Sequence, residues 1–189
     1  MINDVYVQIP VLENDRFILR EIYKEKDTKE LLKVYSDDKS VPFFNSDNCN
    51  GDDFSYKTME EMEDAIEFWD FSYKHKYFVR WAIELKQKQE VIGTIELFHR
   101  RAEDYFDNCA ILRLDLRSDY ETEADIENIL YMIIPKVKEL FGSQRIATKA
   151  VSSAGRRILA LKKAGFCLSE EYLTGHDGIK YDSYYIRKV

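Results

Sequence analysis

A chain of 189 residues with 35 Asp and Glu against 28 Lys and Arg carries a formal net charge of −7. That charge makes it a poor partner for duplex nucleic acid, which needs a clustered basic surface. Apolar residues make up 45% and charged residues 33%, a composition that excludes a disordered chain and favours one domain, residues 1–189, with a full core. No apolar run is long enough to span a bilayer, and MINDVYVQIP (1–10) lacks the basic start and apolar stretch of a signal peptide. Cys49, Cys109 and Cys167 are isolated and no Cys or His pair stands at ligand spacing, so reduced thiols in a cytoplasmic protein and no metal site are expected.

Residues 1–15 read as an N-terminal extended arm, followed by a first strand over Arg16–Glu21. Asp27-Thr28 can cap a helix that runs through Tyr35. Residues 36–56 show no period. They contain PFFNSDNCNGDDF (42–54), whose turn-forming residues predict a long loop of the kind that often serves as a lid or binding segment. Gly51 with its Asp and Asn neighbours is not a calcium loop, because Lys57 stands where the bidentate Glu is required. Thr58 opens a second helix with Glu61 at capping-box distance, and Met59, Met62, Ile66, Trp69 and Tyr73 form its core-facing stripe. Phe78–Leu85, Val91–Phe98 and Cys109–Leu116 read as a three-stranded meander.

An acidic connection, Glu121–Asp125, then leads into a helix over Ile126–Phe141 that Pro135 kinks. A strand over Arg145–Val151 and a short helix ending in LKKAGF (161–166) follow. Strands at Cys167–Tyr172 and Tyr181–Arg187, joined by the turn Thr174–Gly178, close the chain. The aromatic pair Tyr184-Tyr185 on the last strand suggests pairing across a homodimer.

Alternation along the meander places Arg113 and Asp115 opposite Leu112, Leu114 and Leu116. Thr94, Glu96 and Phe98 share a face, as do Arg80, Ala82 and Glu84. If the pairing phases agree, one sheet face carries Arg80, Glu84, Glu96, Arg113 and Asp115. Charges on central strands are costly unless paired or wet. The face is therefore either an ion-paired or solvated network, or a polar pocket for an amine. The histidines, His75, His99 and His176, lie far apart in sequence, and His99, at a strand end, is either a general base or, as is commoner there, a surface residue.

The helix after Glu121–Asp125 offers free N–H groups and a partial positive charge that suit a phosphate. Its approach is acidic, however. Two like charges about 4 Å apart repel by about 4 kcal/mol at a surface-like dielectric, roughly a thousandfold in affinity. Alternatively, Thr122 is the N-cap and Asp125 the acid of a capping box, and the helix end satisfies itself.

The order of these pieces, from Arg16 to Arg187, resembles that of GNAT-superfamily N-acetyltransferases, in particular the branch that includes ribosomal-protein N-terminal acetyltransferases. RFILREIYKEKDTKELLKVYSD (16–37), VIGTIELF (91–98), IATKAVSSAGRRILALKKAGF (146–166) and KYDSYYIRKV (180–189) carry the resemblance. It implies an α/β (α+β) GNAT fold, a mixed, mostly antiparallel twisted sheet of six to seven strands with helices on both faces. It implies transfer of acetyl from acetyl-coenzyme A to a primary amine, either a small molecule or a peptide N-terminus, without metal. The splayed strands around Leu116 and Lys149 would hold the pantetheine. Backbone amides of Thr122, Glu123, Ala124, Asp125 and Ile126 would face the pyrophosphate. In that register Glu121 stands where the family carries a basic or amide residue, Thr122 and Ala124 where it carries glycines, Ala154 where it often carries Asn, and Leu161 where some members carry an acid-catalytic Tyr. Glu96 and Asp115 are the catalytic candidates. Phe43, Phe44, Asn45, Arg80, Glu84 and Arg113 are candidates for the acceptor pocket. The alternative is a GNAT-fold binding or regulatory protein that does not bind coenzyme A.

Overall fold

The computed structural model describes residues 4–189. Strands β1 (Leu12–Glu13), β2 (Phe17–Arg20), β3 (Val79–Leu85), β4 (Glu90–Arg100), β5 (Cys109–Leu116), β6 (Arg145–Lys149) and β7 (Cys167–Leu168) belong to one sheet. Strands β8 (Leu173–Thr174) and β9 (Lys180–Tyr181) form a separate hairpin, and β10 (Tyr184–Lys188) returns to the main sheet. The order is β1-β2-β3-β4-β5-β6-β10-β7, and among the described residues β5–β6 is its only parallel pair. Eight strands replace the expected six to seven because β1 and β7, two residues each, are too short to show as periodicity.

Alternation along the strands places apolar side chains on both faces of the sheet. On one face α1 (Lys24–Tyr35) and α2 (Met59–Lys74) bury Leu31, Tyr35, Met62 and Trp69 against Ala82 and Val91. On the other, α3 (Glu123–Ile133), α4 (Val137–Phe141) and α5 (Gly155–Lys163) pack Ile126, Ile129, Val137 and Leu161 onto Leu112, Leu114 and Leu116. Thr58 caps α2 through the reciprocal box with Glu61, and a tight turn at Ile134–Lys136 breaks the α3–α4 run at Pro135.

Several expectations are corrected. Helix α1 starts at Lys24, a turn before Asp27. The Asp27 carboxylate instead accepts the Tyr23 N–H at 2.8 Å and the Arg20 guanidinium. The arm is not extended throughout, for Val5–Val7 form a turn whose Val5 is buried in the main core. Only two residues of the strand expected over Cys167–Tyr172 pair, at Cys167–Leu168. Strand β10 is flanked by β6 along its whole length and by β7 at Tyr185–Ile186, so Tyr184-Tyr185 is not a free edge for a dimer.

One close approach sets the centre of the sheet. A β-bulge shifts the β3–β4 register between Ile83 and Glu84, and Gly93 follows it on β4. A Cβ on Gly93 would lie 2.2 Å from the Asp115 carbonyl oxygen on β5. Only glycine lets the two backbones meet there.

Candidate active site

Strands β5 and β6 pair from Cys109 with Arg145 as far as Leu112 with Thr148, and then part. Beyond that point Lys149 stays with Tyr184 of β10, while Arg117, just past β5, remains bonded to Ile92 of β4 at 2.9 Å. The Asp115 carbonyl faces Gly93 of β4. Carbonyls alternate along a strand, so that of Leu114 faces the opening left by β6. A buried carbonyl without its ladder partner needs another donor. Arg157, from the first turn of α5 and 3% exposed, supplies it. Its Nη1 donates to the carbonyls of Leu114 at 2.8 Å and Phe43 at 3.0 Å. Its Nε and Nη2 each donate to the Glu121 carboxylate at 2.7 Å.

One cavity lies at the Arg157–Glu121 side of this opening, and a second lies over the charged residues of β3, β4 and β5. The smaller, about 330 Å³, is lined by Lys39, Phe43, Ser118, Glu121 and the start of α5 from Ser153 to Arg157. The larger, about 860 Å³, has aromatic walls, among them Phe54, Tyr56, Trp69, Phe78 and Phe98, and a floor of Arg80, Glu96 and Arg113.

The floor follows from register. Arg80, Glu96 and Arg113 lie directly opposite one another across β3, β4 and β5, and Thr94 lies opposite Asp115. Arg80 donates to Glu96 Oε2 from Nε at 3.1 Å and from Nη2 at 2.5 Å. Its Nη1 reaches the Tyr35 hydroxyl at 2.7 Å, Thr94 Oγ1 at 2.9 Å and Asp115 Oδ2 at 3.0 Å. Arg113 holds Glu96 Oε1 at 2.6 Å. The Arg80 guanidinium also lies 4.4 Å from the centre of the Trp69 ring.

The two carboxylates differ in kind. Burial would raise the pKa of Glu96, but Arg80 and Arg113 outweigh it and hold the group below its ordinary value. Both of its oxygens are occupied. Burial dominates at Asp115 and raises its pKa despite Arg80 and Tyr35. Tyr35 donates to its Oδ2 at 2.8 Å, while its Oδ1 has no partner among the described residues. Asp115 is fully buried and lies behind the floor, whereas Glu96 lines the cavity itself.

Glu84 is not part of this floor. It pairs with Arg20 at 2.6 Å and Lys26 at 3.3 Å, in a separate cluster beneath α1. Phe43 lines the smaller cavity. Phe44 packs on Tyr35 and Asn45 is buried beside the Tyr184 hydroxyl, so neither lines the larger one. The loop instead contributes Asn48, Cys49, Asn50, Asp52 and Phe54 to that cavity. Asp47 ties it down: its carboxylate accepts from Lys149 at each oxygen, at 2.7 Å, and from the Tyr184 hydroxyl at 3.2 Å, while its carbonyl accepts from Arg113 at 2.9 Å. His99 lines neither cavity and bonds Ser143 Oγ at 2.6 Å.

The acidic approach to α3 is not a bare cluster of charge. Glu121 is paired with Arg157, Glu123 with Lys163, and Asp125 with Arg16 at 2.7 Å. Thr122 caps the helix by accepting the Asp125 N–H at 3.2 Å, and the Asp125 carboxylate takes the Thr122 hydroxyl rather than closing the box on its backbone. The amides of Glu123 and Ala124, at the first turn, take no partner among the described residues. The repulsion expected from the three acids is corrected accordingly: each has a cation from a distant element. Leu116 and Ile126 are wholly buried core side chains, so only their backbone bears on a ligand.

Sequence reasoning did not single out Arg157, Arg156, Lys39, Asp47 or Tyr35. One signal was available for Arg157. A cation in the first turn of a helix runs against the helix dipole, so the Arg156-Arg157 pair needed an acidic partner from elsewhere.

Residues 16–166 match the family model described as the acetyltransferase (GNAT) domain. The chain is 31% identical over 99 residues to an uncharacterized N-acetyltransferase, YoaA, of Bacillus subtilis, a match that spans about half of each protein. Among solved structures it is similar to the microcin C7 self-immunity acetyltransferase MccE in complex with acetyl-CoA and AMP. That likeness has a TM-score of 0.68 at 15% identity over 93% of this chain and 94% of the other. It is also similar to RimL, a ribosomal L7/L12 alpha-N-protein acetyltransferase in complex with coenzyme A. Here the TM-score is 0.67 at 12% identity, over 95% of this chain and 98% of the other. At such identities these structures speak for the fold.

Proposed function

Because the chain belongs to the GNAT acetyltransferase family, we propose that residues 1–189 act as one acetyltransferase domain that moves an acetyl group from acetyl-coenzyme A to a primary amine. The observation that carries this reading is the opening beyond Leu112 and Thr148, with one cavity at its Arg157–Glu121 side and a separate one over the charged floor of β3, β4 and β5. A donor and an acceptor entering by different routes can meet there. The residues present suit the donor. Ser118 and Ser153 offer hydroxyls at the smaller cavity, Lys39 and Arg156 have no carboxylate partner among the described residues, and the acids near α3 are neutralised. Backbone amides from Thr122 to Ile126 lie at the start of α3, those of Glu123 and Ala124 without partners. When bound, acetyl-coenzyme A supplies the activated acyl group.

The acceptor enters the larger cavity. Glu96 is held ionised at its floor by Arg80 and Arg113, and its Oε1, which takes a single bond from Arg113, anchors the incoming ammonium. The attacking amine must first lose a proton. Asp115, with an unused oxygen but fully buried behind the floor, takes it through an intervening water and not by direct contact. A bond then forms between the amine nitrogen and the acetyl carbon, the carbon–sulfur bond breaks, and the departing thiolate takes a proton. RimL's action on a protein N-terminus supports a peptide amine as one acceptor class. The cavity's volume admits a small-molecule amine equally. Among the described residues no helix is long and apolar enough to cross a membrane, and the three cysteines are free. Both support a cytoplasmic setting.

Calorimetric titration with acetyl-coenzyme A, followed by thiol release across a panel of amines, tests the reading. Micromolar binding and amine-dependent release are expected. The double variant Glu96→Gln/Asp115→Asn should then lose about a hundredfold or more in turnover while still binding the donor. Unchanged turnover removes both carboxylates from the mechanism, and absence of donor binding in folded protein favours a non-catalytic binding role.

A further inference from the structure

Arg157 sits in the opening through which the acetyl-transfer reading brings the donor's arm. Its guanidinium fills the opening beyond Leu112 and Thr148, holding the Leu114 carbonyl of β5 and the Phe43 carbonyl of the covering loop while Glu121 grips it from the other side. The opening is therefore bridged by three elements that are far apart in sequence. We propose that Arg157 is a latch on the donor's route: it holds the opening between β5 and β6 closed in the free protein and gives up the Leu114 carbonyl to an amide N–H of the donor when acetyl-coenzyme A enters. The proposal rests on the acetyl-transfer reading of the same cleft.

Three observations carry it. The Leu114 carbonyl is the strand-edge acceptor that the parting of β5 from β6 leaves free, and a pantetheine arm, with two amide N–H groups, is chemically suited to take it. Arg157 already occupies it, at 2.8 Å and 3% exposure, so both cannot hold the same edge in the same way. Glu121 offers the guanidinium a second anchorage through two bonds of 2.7 Å, so release from the carbonyls does not strand a buried charge. The smaller cavity, lined by Arg157 and Glu121 themselves, is the space into which the side chain can turn. A binding-competent state that is only a fraction of the population weakens apparent affinity by that fraction. Removing the latch should restore it.

The experiment compares wild type with Glu121→Gln/Arg157→Met, which removes both charges together, and with Arg157→Lys, which keeps the charge but lacks the planar fork needed to reach two carbonyls and Glu121 at once. Acetyl-coenzyme A is the ligand, its dissociation constant is read by calorimetry and its association rate by stopped flow, and thermal melting verifies folding. The double variant is expected to bind about tenfold more tightly and faster, with Arg157→Lys between it and wild type. A purely structural role for Arg157 would move the melting temperature without raising the association rate. A folded double variant with unchanged or weaker affinity and an unchanged rate overturns the latch but leaves acetyl transfer standing, since wild type binds. Absence of binding in all three folded proteins overturns both. If the double variant does not fold, Arg157→Lys decides alone: a faster association supports the latch, and an unchanged one refutes it.

Discussion

Replacing Arg80 with Met should remove the centre of the charged floor while sparing most of its packing. The guanidinium, 3% exposed, makes bonds to Glu96, Asp115, Tyr35 and Thr94. It lies over the Trp69 ring, and Met keeps a hydrocarbon side chain in the site. Loss of the cation–π contact is worth about 0.5–2 kcal/mol. Breaking a buried ion pair by removing one partner costs about 3–5 kcal/mol, so electrostatics decides the outcome. Glu96 retains Arg113, whereas Asp115 has no other ion-pair partner among the described residues. A loss of about 3–5 kcal/mol at pH 8 is expected, against a total of about 5–15 kcal/mol for a domain.

The sign with pH is determined. In wild type the lowered pKa of Glu96 contributes stability that is present above its unfolded value and disappears as pH falls through the lowered one. Asp115, raised, acts in the opposite sense. Its ionisation penalises the fold as pH rises from the unfolded value through the raised one. In the variant both carboxylates bind protons more tightly, so the deficit relative to wild type must shrink as pH falls from 8 to 5. Each further unit of upward shift is worth about 1.4 kcal/mol. Urea unfolding followed by the fluorescence of Trp69 and Trp81, both buried, measures it at each pH. A loss below about 1 kcal/mol at pH 8, under the range for a broken buried pair, or an equal loss at both pH values, would refute the reasoning.

Two further outcomes follow from local geometry. Gly93→Ala drives a methyl group to within 2.2 Å of the Asp115 carbonyl, so β4 and β5 must part, at about 1–3 kcal/mol. A urea midpoint unchanged from wild type would show that the strands relax without penalty. Asp37 accepts the Ser118 N–H at 2.9 Å and bonds to Lys39 and Ser40. Burial pushes its pKa up, but these hydrogen bonds outweigh it and bring it down to about 2. Its contribution is therefore present above the unfolded value, near 4, and lost as pH falls towards 2. Asp37→Asn should cost about 1 kcal/mol at pH 7, discounted for its partial exposure, and progressively less as pH falls through about 2. Equal differences in melting temperature at pH 7 and pH 2.5 would contradict this.

Much of the fold is legible in the chain because its determinants are local. Side chains alternate along any strand, so Glu96, Arg113 and Asp115 had to stand on one face and Leu112, Leu114 and Leu116 on the other. The Thr58–Glu61 box spans four residues and declares itself wherever α2 packs. What local rules cannot supply is distance between elements. Glu84 shares a face with Arg80 yet stands four residues, about 13 Å, further along the strand, where Arg20 captures it. Phe43 and Asn48 lie in one loop, but the loop crosses the opening and delivers them to different cavities. The acids of residues 121–125 repel a phosphate when read as neighbours in sequence. Tertiary structure brings Arg157, Lys163 and Arg16 to them from α5 and the start of β2. Charge composition and strand phase were thus determined by the sequence itself, because bonded geometry imposes them. Which charge neutralises which, and whether the opening beyond Leu112 is filled, was decided by the folded chain alone, because Coulomb energy depends on separation in space and the ion pair that fills it joins residues 36 positions apart.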